Sequence, residues 1–580
     1  MHKTFTFFLL SVLLLSSLIV FTKPLTAGEQ RSITIKAPAV ALSGGVRRGV
    51  LTNITITIVK PGKGRVFIST MPLSQVDMQA SAHIAAMVAC DLAEVPLSSC
   101  DFLVEVRSNT IVMGGPSASA YICVAMYALI KGLSLRRDVS MTGMINPDGS
   151  IGPVGGILEK AEAVAKGGVK VFLIPVGEEE VTTYKLEVKE VGPFVFKELR
   201  PVRVNVLKYA AEKLGLKIVP IYDIRQAITY FTGVTFAPPS CVSITLSQAY
   251  VSSLRRIGED LLSLDKRLYR KLSSKLSGYL ASELEEEASL LKESEELLGK
   301  GKYYVASSVA FSLLTHLKCL ELISDVRSKG ESAFTDRIKA LNATLESLYA
   351  KFRTIKPTLR NIGLLVALAE RIEDLKRALS QSGEYYARYH EEGYWDDFLS
   401  ALKELAYAEA RAYGTRLWMK YLELEGDKRI PLSVLKRSAE SLMSEAQSVM
   451  AYALSIFGEE SVEEFGEVSS YLDMAKDAYL KGDYLMASAT SLRGLAYLIH
   501  KFSTLVANEE ALEKMANYSR SQALSLCLEA ERLGVQPYLP LNYVEYGDYI
   551  KSVDDKLFMY KLASMHAKYL VMIAKEVRSN

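Results

Sequence analysis

A serine and a lysine stand out chemically, because each lies where a glycine-rich turn runs into an apolar helix. Ser117 follows Gly114-Gly115-Pro116 and precedes the uncharged apolar run 121–129. Unpaired backbone N–H groups at a helix N-terminus, together with the positive end of the helix dipole, stabilise a developing oxyanion. The segment therefore suits a serine nucleophile, and the same pattern also suits an ordinary helix N-cap.

Lys160 falls within the first turns of a second predicted helix, which follows Gly155-Gly156. The helix dipole opposes a cation at that end, and apolar neighbours add a desolvation cost. Both effects lower the lysine pKa from its usual value of about 10.4 towards neutrality. A neutral lysine can remove the proton of a serine hydroxyl, so the two residues together predict nucleophilic catalysis. Taken alone, the pattern around Lys160 is more typical of a surface lysine.

The sequence lacks the motifs of several other classes of enzyme. The six histidines show no metal-ligand spacing, and the chain contains no HExxH zinc motif, no GxSxG serine elbow and no GxxxxGK[ST] phosphate loop. We therefore expect no metal, no cofactor and no ATPase. The six cysteines form no CxxC pair. Cys90 and Cys100 could pair, or all six could be small buried hydrophobes.

Length and composition indicate a multidomain globular chain. Its 580 residues are enough for two to four folding units. Apolar residues make up 49% and charged residues 23%, as in ordinary globular proteins. The net charge of +3 is too small to indicate nucleic acid as a partner.

The N-terminal segment predicts export. Residues 4–22 are uncharged and apolar, follow Lys3, and precede the small-residue stretch 25–27. Residues 1–27 are therefore expected to be a signal peptide or an uncleaved N-terminal membrane anchor, since the apolar run is also long enough to span a bilayer. Either outcome places the rest of the chain outside the cytoplasm, secreted or anchored through residues 4–22.

The chain divides into two regions of different periodicity. Residues 28–237 show short strands and helices, which predicts an α+β or α/β domain. Residues 53–58 alternate apolar and polar side chains, and a turn at 61–64 precedes another short apolar strand at 66–68, which predicts a hairpin. A strand at 169–174 follows a helix closed by Gly167-Gly168.

A linker at 238–244, opened by Pro238-Pro239, leads to an all-helical region over 245–580. This region repeats itself, because residues 300–307 resemble residues 481–488 around a Gly-x-Tyr turn, with weaker echoes at 392–395 and 546–549. Each copy predicts a helical hairpin. The turns resemble those of tetratricopeptide-type repeats, although their spacing is irregular.

Four segments in order resemble the proteolytic domain of the Lon (S16) serine proteases. The resemblance covers roughly residues 30–235. Within the family, the chain looks like archaeal-type Lon-like proteins without an ATPase module. The resemblance implies an α+β Lon-type proteolytic domain. The matching segments are Gly115-Pro116-Ser117-Ala118, Met141-Thr142-Gly143, Gly155-Gly156-Ile157-Leu158-Glu159-Lys160, and residues 167–171 with Ile174-Pro175.

The resemblance implies a role for each matching residue. Ser117 would be the nucleophile, Lys160 the general base, and Thr142 a hydroxyl that orients the lysine. Ser119, two positions after the nucleophile, is an alternative nucleophile.

The residues around the nucleophile would form the oxyanion loop, and the family implies a peptidase that works on proteins. The loop residues are Gly115, Pro116 and Ala118. The expected activity is ATP-independent endopeptidase cleavage of unfolded or flexible proteins. Lon proteolytic domains assemble as rings, so a homo-oligomer is expected.

Two departures from the family support a rival hypothesis. Many members carry acidic residues where this chain has Gly114 and Met144. The rival is a catalytically inactive Lon-like scaffold whose helical domain binds protein partners. Retention of Ser117, Thr142 and Lys160 together argues for the enzyme.

Overall fold

The computed structural model describes most of the chain. The predicted export segment 1–27, the loop residues Gly114 and Gly115, and the predicted linker 238–244 lie outside the described residues. Those residues are 29–43, 46–71, 76–107, 116–191, 194–236, 246–426, 428–457, 465–504 and 507–579.

The first region mixes strands and helices, as its periodicity predicted. Its strands and its helices of nine or more residues are, in chain order, β1 (Glu29–Ser43), β2 (Val46–Lys60), β3 (Val66–Met71), α1 (Val76–Leu92), β4 (Asp101–Arg107), α2 (Ser119–Lys131), β5 (Val139–Met141), β6 (Met144–Ile145), β7 (Ile151–Gly152), α3 (Ile157–Lys166), β8 (Val171–Pro175), β9 (Glu180–Val191), β10 (Phe194–Asn205), β11 (Lys217–Ile221) and α4 (Ile224–Thr232). Shorter helical segments lie at Leu97–Ser99, Pro116–Ala118, Val206–Tyr209 and Ala210–Leu214.

The larger sheet corrects the predicted hairpin. Its strand order is β1-β2-β4-β3, so β4 lies between the two strands that were expected to pair. Asp101 at the start of β4 accepts hydrogen bonds from the backbone N–H groups of Lys63 (2.7 Å) and Arg65 (2.8 Å). These bonds hold the turn between β2 and β3 against the start of β4, and β3 then pairs with β4 in parallel. The turn signal was correct, but strand adjacency depends on contacts outside the turn.

A second sheet positions Thr142, which directly follows its strand β5. Its strands run parallel in the order β11-β8-β5. Strands β6 and β7 form a short antiparallel hairpin, and β9 and β10 form a long one. Helix α2 is buried over nearly its whole length, which is typical of a central core helix.

The described residues of the second region form thirteen helices joined by loops. Its elements are α5 (Gln248–Ser273), α6 (Tyr279–Glu286), α7 (Ala288–Gly299), α8 (Tyr303–Lys329), α9 (Ser332–Thr354), α10 (Ile362–Glu392), α11 (Trp395–Tyr421), α12 (Leu432–Phe457), α13 (Gly466–Leu480), α14 (Tyr484–Thr504), α15 (Glu509–Arg532), α16 (Tyr538–Tyr549) and α17 (Val553–Ser579).

The two clearest repeat segments are helical hairpins. Gly301 between α7 and α8 and Gly482 between α13 and α14 adopt left-handed φ values of 77° and 79°, which glycine reaches without strain. The echo at 392–395 is also such a turn, whereas the echo at 546–549 lies inside α16. A regular tetratricopeptide array is not confirmed, because helix length varies from 8 residues in α6 to 31 in α10.

Among the described helices, α8 is long and apolar enough to cross a membrane by length and composition. Within this fold 56% of its most apolar 18-residue stretch is buried. It packs against α5, α7 and α11, as expected for a core helix of the bundle. The two regions also contact each other directly, since α12 packs on α1.

Candidate active site

Ser117 lies in a tight turn that enters the core helix. Residues Pro116–Ala118 form one 3₁₀ turn, and α2 begins at the next residue. The Ser117 carbonyl accepts two hydrogen bonds, from the Gly143 N–H (2.9 Å) and from Thr142 Oγ1 (3.1 Å). Its side chain is partly exposed. These two hydrogen bonds hold the backbone of Ser117.

Thr142 connects the serine turn to the lysine. It follows β5, and its N–H donates to the Leu173 carbonyl of β8 (3.0 Å). Its buried hydroxyl donates to the Ser117 carbonyl and accepts from Lys160 Nζ at 3.2 Å. A threonine hydroxyl has one proton to donate, and a carbonyl must be the acceptor. The lone pair of a neutral Lys160 is therefore left free by Thr142.

Lys160 is almost completely buried. It lies on α3, and 3% of its surface is exposed. Burial disfavours the charged form and lowers the pKa of Lys160 to about 8, against the opposing effects of Glu178 and Glu159. Within the described part of the chain, no carboxylate oxygen forms an ion pair with Nζ. A lysine in this setting is partly neutral near physiological pH.

The position of α3 depends on a close backbone approach. A Cβ atom at Gly49 of β2 would collide with the backbone carbonyl of Glu159. Gly156, which caps α3, adopts a left-handed φ of 74°. Glycine at both positions lets α3 lie against β2 and carry Lys160 inward.

Glu178 is a functional candidate that sequence reasoning missed. It follows β8 and is buried, and its Oε1 accepts from the Val154 N–H at 2.9 Å. Its Oε2 is buried without a hydrogen-bond partner among the described residues. Burial raises the pKa of Glu178 to about 8, and the nearby Lys160 opposes that rise. The available signal was an acidic residue soon after Ile174-Pro175.

The structure separates the two serine candidates. Ser119 is buried, and its Oγ accepts from the Ile145 N–H of β6 at 3.0 Å, so it is occupied in holding the β6–β7 hairpin.

No hydrogen bond joins Ser117 Oγ to Lys160 Nζ, both of which lie in the described part of the chain. Catalytic hydrogen bonds often tighten only when substrate binds.

The remaining sequence candidates contribute no further group here. Cys90 and Cys100 are buried free thiols whose Sγ atoms lie 3.9 Å apart. No cluster of three or more His, Cys, Asp or Glu residues in the described ranges is placed to hold a metal ion.

Comparison with known proteins places this site in a family. Residues 45–208 match the family model of the Lon protease (S16) C-terminal proteolytic domain. Lon protease 1 of Myxococcus xanthus is 34% identical over 157 residues, 26% of this chain and 18% of that protein. The Lon protease of Neorickettsia sennetsu is 27% identical over 179 residues, 30% of this chain and 19% of that protein.

A third relative shows the same limited overlap. The Lon protease of Vibrio parahaemolyticus is 32% identical over 163 residues, 26% of this chain and 20% of that protein. The chain thus spans about a fifth of the length of these curated relatives. The likeness lies in the α/β region, where residues 45–208 match the Lon (S16) proteolytic-domain family.

Proposed function

We propose that this chain is an ATP-independent serine endopeptidase in which Ser117 is the nucleophile and Lys160 the general base. The observation that carries the proposal is a buried lysine without an ion-pair partner in the described residues, connected through one threonine hydroxyl to the backbone of Ser117. Burying a lysine without an ion-pair partner is costly, and catalysis is a reason to keep it.

Lys160 transfers a proton in each half of the reaction, first from Ser117 and then from water. Lys160 Nζ accepts the proton as Ser117 Oγ attacks the peptide carbonyl, and the protonated amine then returns it to the leaving amine. An acyl ester on Ser117 and a free amino terminus result. Lys160 next removes a proton from a water molecule that attacks the ester. Transfer of this proton from Lys160 to Ser117 Oγ then releases the new carboxyl terminus.

The oxyanion of each tetrahedral intermediate would lie beside the turn at 115–118. Pro116 has no N–H, so within the 3₁₀ turn the donors are the amides of Ser117 and Ala118. Gly115 completes the predicted loop, and its placement lies outside the described residues.

The proposed substrates are extended peptides and unfolded or flexible proteins, because the chain has no ATPase motif that could drive unfolding. The site of action is extracytoplasmic, secreted or anchored through residues 4–22. Assembly as a homo-oligomer is proposed by analogy with the family, and nucleic acid is not a proposed partner.

The scaffold hypothesis is the second candidate. It is favoured by the absence of a Ser117–Lys160 hydrogen bond between these two described residues and by Met144, which is buried where many family members carry an acid. Glu178 places a carboxyl group near Lys160 from a different element, so the loss at position 144 does not leave the lysine without an acidic neighbour.

Cleavage of unfolded casein without nucleotide separates the two functions. The full chain is compared with Ser117→Ala and Lys160→Ala, and the matched controls are Ser134→Ala, in the exposed loop after α2, and Lys166→Ala, exposed on α3. We expect loss of cleavage in the first two variants and normal cleavage in the controls. A correctly folded parent that does not cleave, or a Ser117→Ala variant that does, would overturn the proposed function.

A further inference from the structure

A buried lysine on α17, Lys561, contacts the α/β region. Lys561 of α17 pairs with Asp148 Oδ2 at 2.6 Å and donates to Ser150 Oγ at 3.1 Å. The side chains of Lys561 and Asp148 are 0% and 2% exposed. Asp148 and Ser150 lie in the turn that joins β6 to β7, so this ion pair connects the two regions of the chain.

Other side chains from the helical region contact the same turn. Gln522 of α15 donates from Nε2 to the Asp148 carbonyl at 2.6 Å. Lys568, two turns after Lys561 on α17, donates to the Pro147 carbonyl at 2.8 Å and pairs with Asp91 of α1 at 3.2 Å. Helices α15 and α17 therefore hold the backbone of this turn as well as its carboxylate.

The turn is shaped by its own hydrogen bonds. Asp148 Oδ1 accepts from both the N–H (3.0 Å) and the hydroxyl (2.6 Å) of Ser150. The Asn146 N–H donates to the Ser150 carbonyl at 2.9 Å. Asp148 thus orders the turn with one oxygen and meets Lys561 with the other.

The β6–β7 hairpin connects the proposed catalytic residues. It begins directly after Thr142-Gly143 and is separated by four residues from α3, which carries Lys160. Its Ile145 N–H also donates to Ser119 Oγ, two residues after Ser117. A displacement of this hairpin would therefore move the elements that hold Ser117, Thr142 and Lys160.

We propose that Lys561 is a positioning residue for the peptidase site, acting through Asp148 to hold the β6–β7 hairpin, so that helices α15 and α17 are part of the catalytic unit. The inference rests on the proposed function for its catalytic consequence. Its structural part, that Lys561 holds the hairpin, can be tested without activity.

The test keeps the protein folded by removing both charges together. The double variant Lys561→Met/Asp148→Asn retains a long side chain at 561 and a carbonyl oxygen that can accept from Ser150. Replacing both partners avoids the unpaired buried charge that a single substitution leaves. The control is His566→Gln, because His566 also lies on α17 and forms a buried contact with Glu370 (2.8 Å), which is on α10 and not on the hairpin.

Two measurements are made on the full chain. Hydrogen exchange of the amides in 144–152 reports hairpin opening, and kcat and KM on a fluorogenic peptide report catalysis. We expect faster exchange in 144–152 in the double variant and a kcat lower by about 10- to 100-fold with KM within about twofold, since a small misplacement of catalytic groups costs this much. The control should leave both unchanged.

The outcomes distinguish the two proposals. Unchanged exchange in the double variant, or an equal change in His566→Gln, overturns the role of Lys561. If exchange rises but kcat does not fall, the hairpin is held by Lys561 without serving the site, which also overturns the proposal. A parent that does not cleave at all contradicts the proposed function instead, and hairpin exchange alone then decides whether Lys561 holds the hairpin.

Discussion

Two lysines, Lys160 in the α/β region and Lys561 in the helical region, are both buried, but their pKa values are shifted in opposite directions. Lys160 is 3% exposed and Lys561 is fully buried. Burial lowers the pKa of Lys160 to about 8. Burial acts on Lys561 in the same direction, yet Asp148 at 2.6 Å outweighs it and the pKa of Lys561 is raised.

The difference between the two sites is the position of the nearest carboxyl group. Asp148 contacts the Lys561 ammonium, whereas Glu178 and Glu159 act on Lys160 only from beyond ion-pair distance. A lysine that holds two regions together needs a contacting partner, because an unpaired buried charge is costly. A lysine that accepts a proton near neutral pH needs the opposite arrangement.

The largest expected effect comes from replacing Lys160. Lys160→Met should lower kcat/KM by about 10³-fold or more, because it removes the proposed general base and keeps the volume of the side chain. Its free energy of unfolding should not fall, since no ion pair is broken. Peptide cleavage and urea denaturation measure the two effects. Substantial cleavage by this variant would contradict the assignment of the base.

The same substitution at Lys561 should lower stability, which the substitution at Lys160 should not do. Lys561→Met leaves Asp148 buried and unpaired, which should lower the free energy of unfolding by about 3–5 kcal/mol. The control is Lys514→Met on α15, whose side chain is 64% exposed and pairs with Glu510. It should change stability by less than about 1 kcal/mol. Equal urea midpoints for the two variants would remove the contrast between the buried lysines.

Replacing Thr142, which contacts Lys160, should have a smaller effect on activity. Thr142→Val removes the hydroxyl that joins Lys160 Nζ to the Ser117 carbonyl and should lower kcat by about 10- to 100-fold. Thr142→Ser keeps the hydroxyl and should retain most of the activity. Steady-state kinetics on one peptide measures both. Equal kinetics for valine and serine would show that the hydroxyl does not orient the lysine.

The effect of Glu178 on Lys160 can be tested through the pH dependence of kcat/KM. Lys160 must be neutral to act as base, so kcat/KM should rise with pH through about 8, the pKa of Lys160. An ionised Glu178 favours the charged lysine, so Glu178→Gln should move this rise to lower pH, by about one pH unit at most. Glu180→Gln, on β9, is the control. A rise displaced to higher pH would contradict the electrostatic effect of Glu178.

The local features of the site were accessible from sequence. Helices α2 and α3 and the glycines before α3 follow from short-range spacing, and the ordered motifs indicated which serine, threonine and lysine to examine together. The structure brings Ser117, Thr142 and Lys160 together through two hydrogen bonds. The catalytic roles of these residues remain predictions.

The long-range features were not accessible. The hairpin expected at 53–68 was wrong because β4, from later in the chain, inserts between the two strands. In the sequence, Lys561 and Lys568 only interrupt an apolar stretch near the C-terminus. Their partners Asp148 and Asp91 lie hundreds of residues away, and no local pattern joins them.

The central claim is that a neutral, buried Lys160 activates Ser117. Its most direct measurement is the rate at which a fluorophosphonate labels Ser117, followed against pH in the parent chain and in Lys160→Met. The account predicts a rate that rises with an apparent pKa near 8 in the parent and a loss of labelling in the variant. Labelling that is independent of pH, or equally fast without Lys160, would contradict it.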